Sequence, residues 1–239
     1  MILDNFLKRF ILISTIFGLM IATGQCFAHG VDENTKQFLI GNEGIAIIPY
    51  LYIGAKHMVT GYDHLLFLVG VIFFLYKTKD ILIYVSLFTL GHSLTLLTGV
   101  LGDIQVNAYL IDAIIGFSII YKGFDNLGGF KQLFKFQPNT KIAVLIFGLF
   151  HGFGLATKIQ EFEIAENGLV GNLISFNVGV EIGQVLALGI VLIFLGYIRS
   201  LSINNKSIYA NVTTLINMSL IGAGTLLMLF QLTSYFMYR

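Results

Sequence analysis

Two histidines frame the run His57-Met-Val-Thr-Gly-Tyr-Asp63-His64, and two more, His92 and His151, lie within very apolar stretches of the same chain. An ionisable group in hydrocarbon is expensive, and where one occurs it marks a pathway or a site. Imidazole nitrogens beside a carboxylate form a donor set for a first-row divalent metal. The chemistry these residue types suit is the handling of a metal ion inside a membrane.

Further polar residues occupy the same apolar surroundings. Asp112 stands alone in one such stretch, and Asn177, Glu181 and Gln184 follow i, i+4, i+7 spacing, which makes one polar stripe on an apolar helix. His57 and His64, seven apart, share a face if their helix is continuous, with Asp63 about 100° to one side. The runs Phe88-x-Leu-x-His92 and Phe147-x-Leu-x-His151 form a short internal echo, placing two histidines at similar depth on helices of the same direction. We therefore take His57, Asp63, His64, His92 and His151 as candidate metal-handling residues, with Asp112, Asn177 and Glu181 offsetting charge or orienting imidazoles. The sole cysteine, Cys26, precedes an expected cleavage site, which removes thiolate ligands and disfavours copper(I). Nickel, cobalt and zinc remain.

Those residues must be positioned by helices. With 56% hydrophobic and 11% charged residues and a mean hydropathy of +0.84, the chain reads as an all-α integral membrane protein. Residues 1–28, with Lys8 and Arg9, an apolar run and the ending Cys-Phe-Ala28, have the pattern of a cleaved signal peptide. Residues 29–61 read as an extracytoplasmic segment in which the apolar but short Gly44–Lys56, containing Pro49, is interfacial or re-entrant. Residues 62–239 read as a six-helix transmembrane domain with spans near 62–76, 81–100, 106–122, 141–157, 169–198 and 208–236. Lys77, Lys79, Lys122, Lys131, Lys135, Lys141, Arg199 and Lys206 then face inward. The smaller set Lys36, Lys56, Lys158 and Arg239 faces outward, so the positive-inside rule puts both mature ends outside. A net charge of +1 gives no basic surface for nucleic acid, and no P-loop is present to hold a nucleotide.

The run from His57 to Phe67, Phe88-Thr-Leu-Gly-His92-Ser93, Phe147-Gly-Leu-Phe-His151-Gly-Phe-Gly and Phe176-Asn177-Val-Gly-Val-Glu181-Ile-Gly-Gln184 resemble the HupE/UreJ family of bacterial membrane proteins, over about residues 50–198. The resemblance implies the bacterial inner membrane, nickel or cobalt permease activity without catalysis, and metalloenzyme maturation proteins as partners. By the same resemblance His57, Asp63, His64 and His151 take the family's metal-handling positions. One departure is visible: Ala156-Thr157-Lys158 stands where members carry an acid shortly after the Phe-His-Gly histidine. The alternatives are an intramembrane zinc hydrolase, with Ser93 near the metal, and a non-transporting metal-sensing or assembly protein. No compact His-Glu-x-x-His motif supports the hydrolase.

Overall fold

The computed structural model describes residues 44–160, 167–202 and 206–238, together with Gln37, Phe38 and Gly41. The expected signal segment 1–28 and the acidic residues 161–166 lie outside these. Every regular element among the described residues is helical: α1 (Ile47–Thr60), α2 (Tyr62–Ile72), α3 (Thr78–Leu101), α4 (Ala108–Asn126), α5 (Gly129–Phe134), α6 (Thr140–Gln160), α7 (Leu169–Ser202) and α8 (Lys206–Met237). Four of them contain stretches long and apolar enough to cross a membrane, Thr78–Leu101, Thr140–Gln160, Leu169–Tyr197 and Tyr209–Met237, which mark the chain as a membrane protein. α4, at 19 residues, carries Asp112, Lys122 and Asp125 along its apolar length.

Local chemistry sets the helix ends. Asn107 caps α4 by accepting the Leu110 amide at 3.1 Å, and Asn139 caps α6 by accepting the Lys141 amide at 3.0 Å. Left-handed residues at Gly128 and Lys135 bound the short α5, a helix inside the stretch that was expected to be loop.

The amino-terminal span differs from its sequence-based boundaries. Gly44–Lys56 is not broken at Pro49, because that proline sits in the first turn of α1, where its missing N–H has no helical carbonyl to serve. The chain breaks later, at Gly61, and α2 continues the path. Together α1 and α2 run parallel to α7 along their whole length. Near one end the Ala46 amide donates to Asn172 Oδ1 at 2.8 Å; near the other Arg199 Nη2 donates to Phe73 O at 2.5 Å and Leu75 O at 3.1 Å. Arg199 thereby serves carbonyls past the end of α2 that lack helical donors.

Three helix pairs build the bundle, each closed by glycines that let backbones approach. A methyl on Gly183 of α7 would lie 2.5 Å from Ala55 O of α1. In the parallel α3/α6 pair, methyls on Gly91 and Gly148 would lie 2.5 Å from Leu145 O and Phe88 O. In the antiparallel α4/α8 pair, one on Gly224 would lie 2.6 Å from Gly116 O. The parallel α3/α6 pairing matches the direction expected from the histidine echo. Thr95 reinforces it by donating across to Leu149 O at 2.7 Å.

The end of the bundle where α2 passes into α3, here the Lys77 end, is fastened by a buried polar network. Lys122 Nζ contacts Asp125 Oδ2 at 2.6 Å, Gln137 donates to Asp125 Oδ1, and Asn126 donates to Gly70 O and Asn217 Oδ1, both at 2.8 Å. These bonds join α2, α4 and α8. The span expected to end at Lys122 continues as α4 to Asn126 and buries that lysine.

Candidate metal centre

The break at Gly61 creates the site. Residues seven apart on a continuous helix are separated by about 10.5 Å of rise, whereas the rings of His57 and His64 are 5.1 Å apart, centroid to centroid. Gly61 has φ −75° and ψ 89°, and its N–H returns to His57 O at 2.8 Å. The turn draws the last turn of α1 and the first turn of α2 onto the same spot. A methyl at Gly61 would sit 3.0 Å from both His57 O and His64 Nδ1, so the turn is tight against the histidine it positions.

His92 reaches this spot from α3. One ligand atom from each of His57, His64 and His92 can be chosen so that all three lie within 4.8 Å of one another. His64 and His92 are fully buried and His57 is half-buried. His151 approaches from α6, its ring 4.7 Å from that of His64, and is also fully buried. Two of these rings are oriented by acceptors on one nitrogen. His64 Nδ1 lies 2.9 Å from Asp63 Oδ1, and His151 Nδ1 lies 2.7 Å from Phe147 O. When Nδ1–H donates to an oxygen, Nε2 is left as the lone-pair atom, the arrangement by which carboxylates and carbonyls aim histidine at a metal. Asp63 Oδ1 also accepts the His64 amide at 2.9 Å, so a single carboxylate in the first turn of α2 holds both the backbone and the ring of the following histidine.

The other sequence candidates are distributed differently. Asn177 sits beside the cluster, accepting from Ser93 Oγ at 2.9 Å and donating to Leu173 O at 3.0 Å, and so ties α7 to the residue following His92. Asp112 is buried but held elsewhere: Lys158 Nζ lies 3.1 Å and Gln231 Nε2 3.3 Å from its Oδ2. Lys158, part of the departure from the family pattern, is therefore its counter-charge. Glu181 is exposed on the surface of α7. The reason is angular. Glu181 is rotated about 40° from Asn177 and 60° from Gln184, and the α3/α7 seam admits the latter two while leaving Glu181 outside.

A feature not anticipated from sequence lies under the histidines. Phe67, Phe88 and Phe147 each stand one helical turn from His64, His92 and His151, on the side toward the Lys77 end, and they are 1%, 0% and 8% exposed. Phe67 is 5.8 Å from Phe88 and 5.5 Å from Phe147, and Phe88 is 5.0 Å from His151. The three rings form an apolar floor. The spacings His64-x-x-Phe67, Phe88-x-x-x-His92 and Phe147-x-x-x-His151 were legible, but nothing in them indicated that three separate helices converge.

Clustered imidazoles fed by a carboxylate, without a thiolate among the described residues, suit nickel, cobalt or zinc. No curated protein and no solved structure matches the chain. A family model described as HupE / UreJ protein matches residues 33–239, which takes in every helix described above. The motifs that assemble the histidine cluster, the glycine-closed helix pairs and this nearly complete match agree: the chain belongs to the HupE/UreJ family.

Proposed function

We propose that this protein is a permease that admits a divalent transition-metal ion, nickel first and cobalt next, for metalloenzyme maturation. The observation that carries the reading is the convergence of His57, His64 and His92 to within 4.8 Å inside a bundle of membrane-length helices. Six crossings follow if α1 and α2 count as one broken span beside α3, α4, α6, α7 and α8. A broken helix at a site within the bilayer is a recurrent transporter device, because it brings polar groups to a depth where regular helices hide them. The basic residues near the Lys77 end support assigning that end to the cytoplasm, which goes with both mature ends outside and the bacterial inner membrane as the location.

In this reading half-buried His57 receives the ion, and Nε2 of His64 and His151, aimed by Asp63 and the Phe147 carbonyl, hold it with His92. The aromatic floor separates the held ion from the cytoplasmic side, so passage requires the floor to part. A divalent cation moving inward gains about 4.6 kcal/mol per 100 mV, twice the single-charge figure. No nucleotide is needed. The hydrolase alternative is weakened at Ser93, whose hydroxyl donates to Asn177 instead of to an imidazole base.

The test is nickel accumulation by a metal-limited strain carrying the full-length chain. His64→Ala and His151→Ala should each abolish uptake while membrane levels stay normal. Uptake equal to the unmodified protein in both variants would return the histidines to packing roles.

A further inference from the structure

On α3, His92 is bracketed by two polar residues that reach across to α7. Ser93 meets Asn177, and both polar ends of that amide are used. Thr89, one turn nearer the Lys77 end, meets Gln184 with Oγ1 2.7 Å from Oε1, and here the hydrogen bonds do not close. Gln184 is fully buried, yet its Nε2 has no acceptor among the described residues. Thr89 Oγ1 also lies 3.1 Å from Val85 O, and one hydroxyl proton cannot serve both oxygens.

Turning the amide over resolves the conflict, since its two ends are alike in outline. Nε2 then donates to Thr89 Oγ1 and Thr89 donates to Val85 O, leaving the carbonyl oxygen as the open buried atom. An open carbonyl is tolerated more readily than an orphaned N–H. It is also a ligand. Thr89 follows Phe88 in sequence, so this oxygen lies at the level of the aromatic floor, on its α7 flank, about 4.5 Å of helix rise beyond His92.

We infer that Gln184 Oε1, with its amide held in place by Thr89 Oγ1, forms a second cation station beside the phenylalanine floor, taking a partly hydrated divalent ion as it leaves the histidines. The inference takes its cargo from the permease reading. Neutral oxygens bind such an ion more weakly than imidazoles do, which suits a station that must release it.

Cobalt(II) is the probe, used with the full-length protein in nanodiscs for calorimetry and in proteoliposomes for flux. Gln184→Glu should add one bound cobalt equivalent, because a carboxylate turns the weak station into a retaining one. Gln184→Leu and the nearly isosteric Thr89→Val should bind cobalt at the histidines as the unmodified protein does. Their flux should fall about tenfold, the scale of one lost polar contact. No added equivalent in a folded Gln184→Glu protein, or undiminished flux in Thr89→Val, overturns the station. Cobalt binding without flux in the unmodified protein would defeat the permease reading instead, and the Gln184→Glu stoichiometry would still decide the station.

Discussion

At the scale of single residues, the decisive contact is Asp63 to His64. The carboxylate fixes both the position and the tautomer of an imidazole that contributes to the three-histidine group. Asp63→Asn keeps the shape but removes the charge that raises ligand basicity, and it should weaken nickel binding by about 10–100-fold, as loss of such an orienting partner does elsewhere. Isothermal calorimetry on purified protein reads this directly; unchanged affinity would mean that the Gly61 turn alone orients His64. Glu181 makes the opposite case. Its stripe spacing gave it a place near the ion path, yet the structure leaves its side chain on the outside of α7. Glu181→Gln should accordingly leave both nickel affinity and uptake unaltered, and a loss of either would show that the carboxylate acts on the site from outside the bundle.

Between helices, glycines set the distances. Gly148 and Gly91 bring α6 and α3 so close that a methyl on either would intrude on a facing carbonyl, and that approach lets His92 and His151 converge on His64 from two helices. Gly148→Val should push the pair apart, costing about 1–3 kcal/mol as overpacking does in tight cores, and should lower the midpoint of heat-induced aggregation followed by size exclusion. A variant as heat-stable as the unmodified protein would show that the pair yields more easily than its contacts suggest. The Gly61 break belongs to the same scale: in a straight α1–α2 helix His57 and His64 would lie nearly two turns apart.

Taken whole, the molecule is asymmetric about its histidines. Toward the Lys77 end lie the aromatic floor and then the Lys122–Asp125 network; toward the other end lies half-buried His57. Phe88→Ala removes the ring that touches His64, His92 and His151 alike. In proteoliposomes it should raise passive nickel leak severalfold, because hydrophobic constrictions exclude ions only while they stay dry. Leak no faster than in the unmodified protein would place the barrier elsewhere. The sidedness has its own check. A cysteine at Lys131, in α5 near the Lys77 end, should resist membrane-impermeant thiol reagents in intact cells and react after lysis. Labelling in intact cells would reverse the direction of the proposed uptake.

The sequence by itself determined the class of the protein, its helices to within a few residues in most cases, and which histidines lie in apolar runs. Hydropathy and helical period are local properties of the chain, and burial of an imidazole in an apolar run is informative wherever the helix packs. What only the tertiary structure decided depends on which helices become neighbours. Lys158 neutralises Asp112 because α4 and α6 bring them together across 46 residues of chain; no local pattern encodes that pairing. Three phenylalanines became a floor, Gln184 entered the seam while Glu181 stayed outside, and Gly61 rather than Pro49 broke the first span. Each outcome turns on a rotation of tens of degrees or a single backbone turn, quantities set by close packing between helices far apart in sequence.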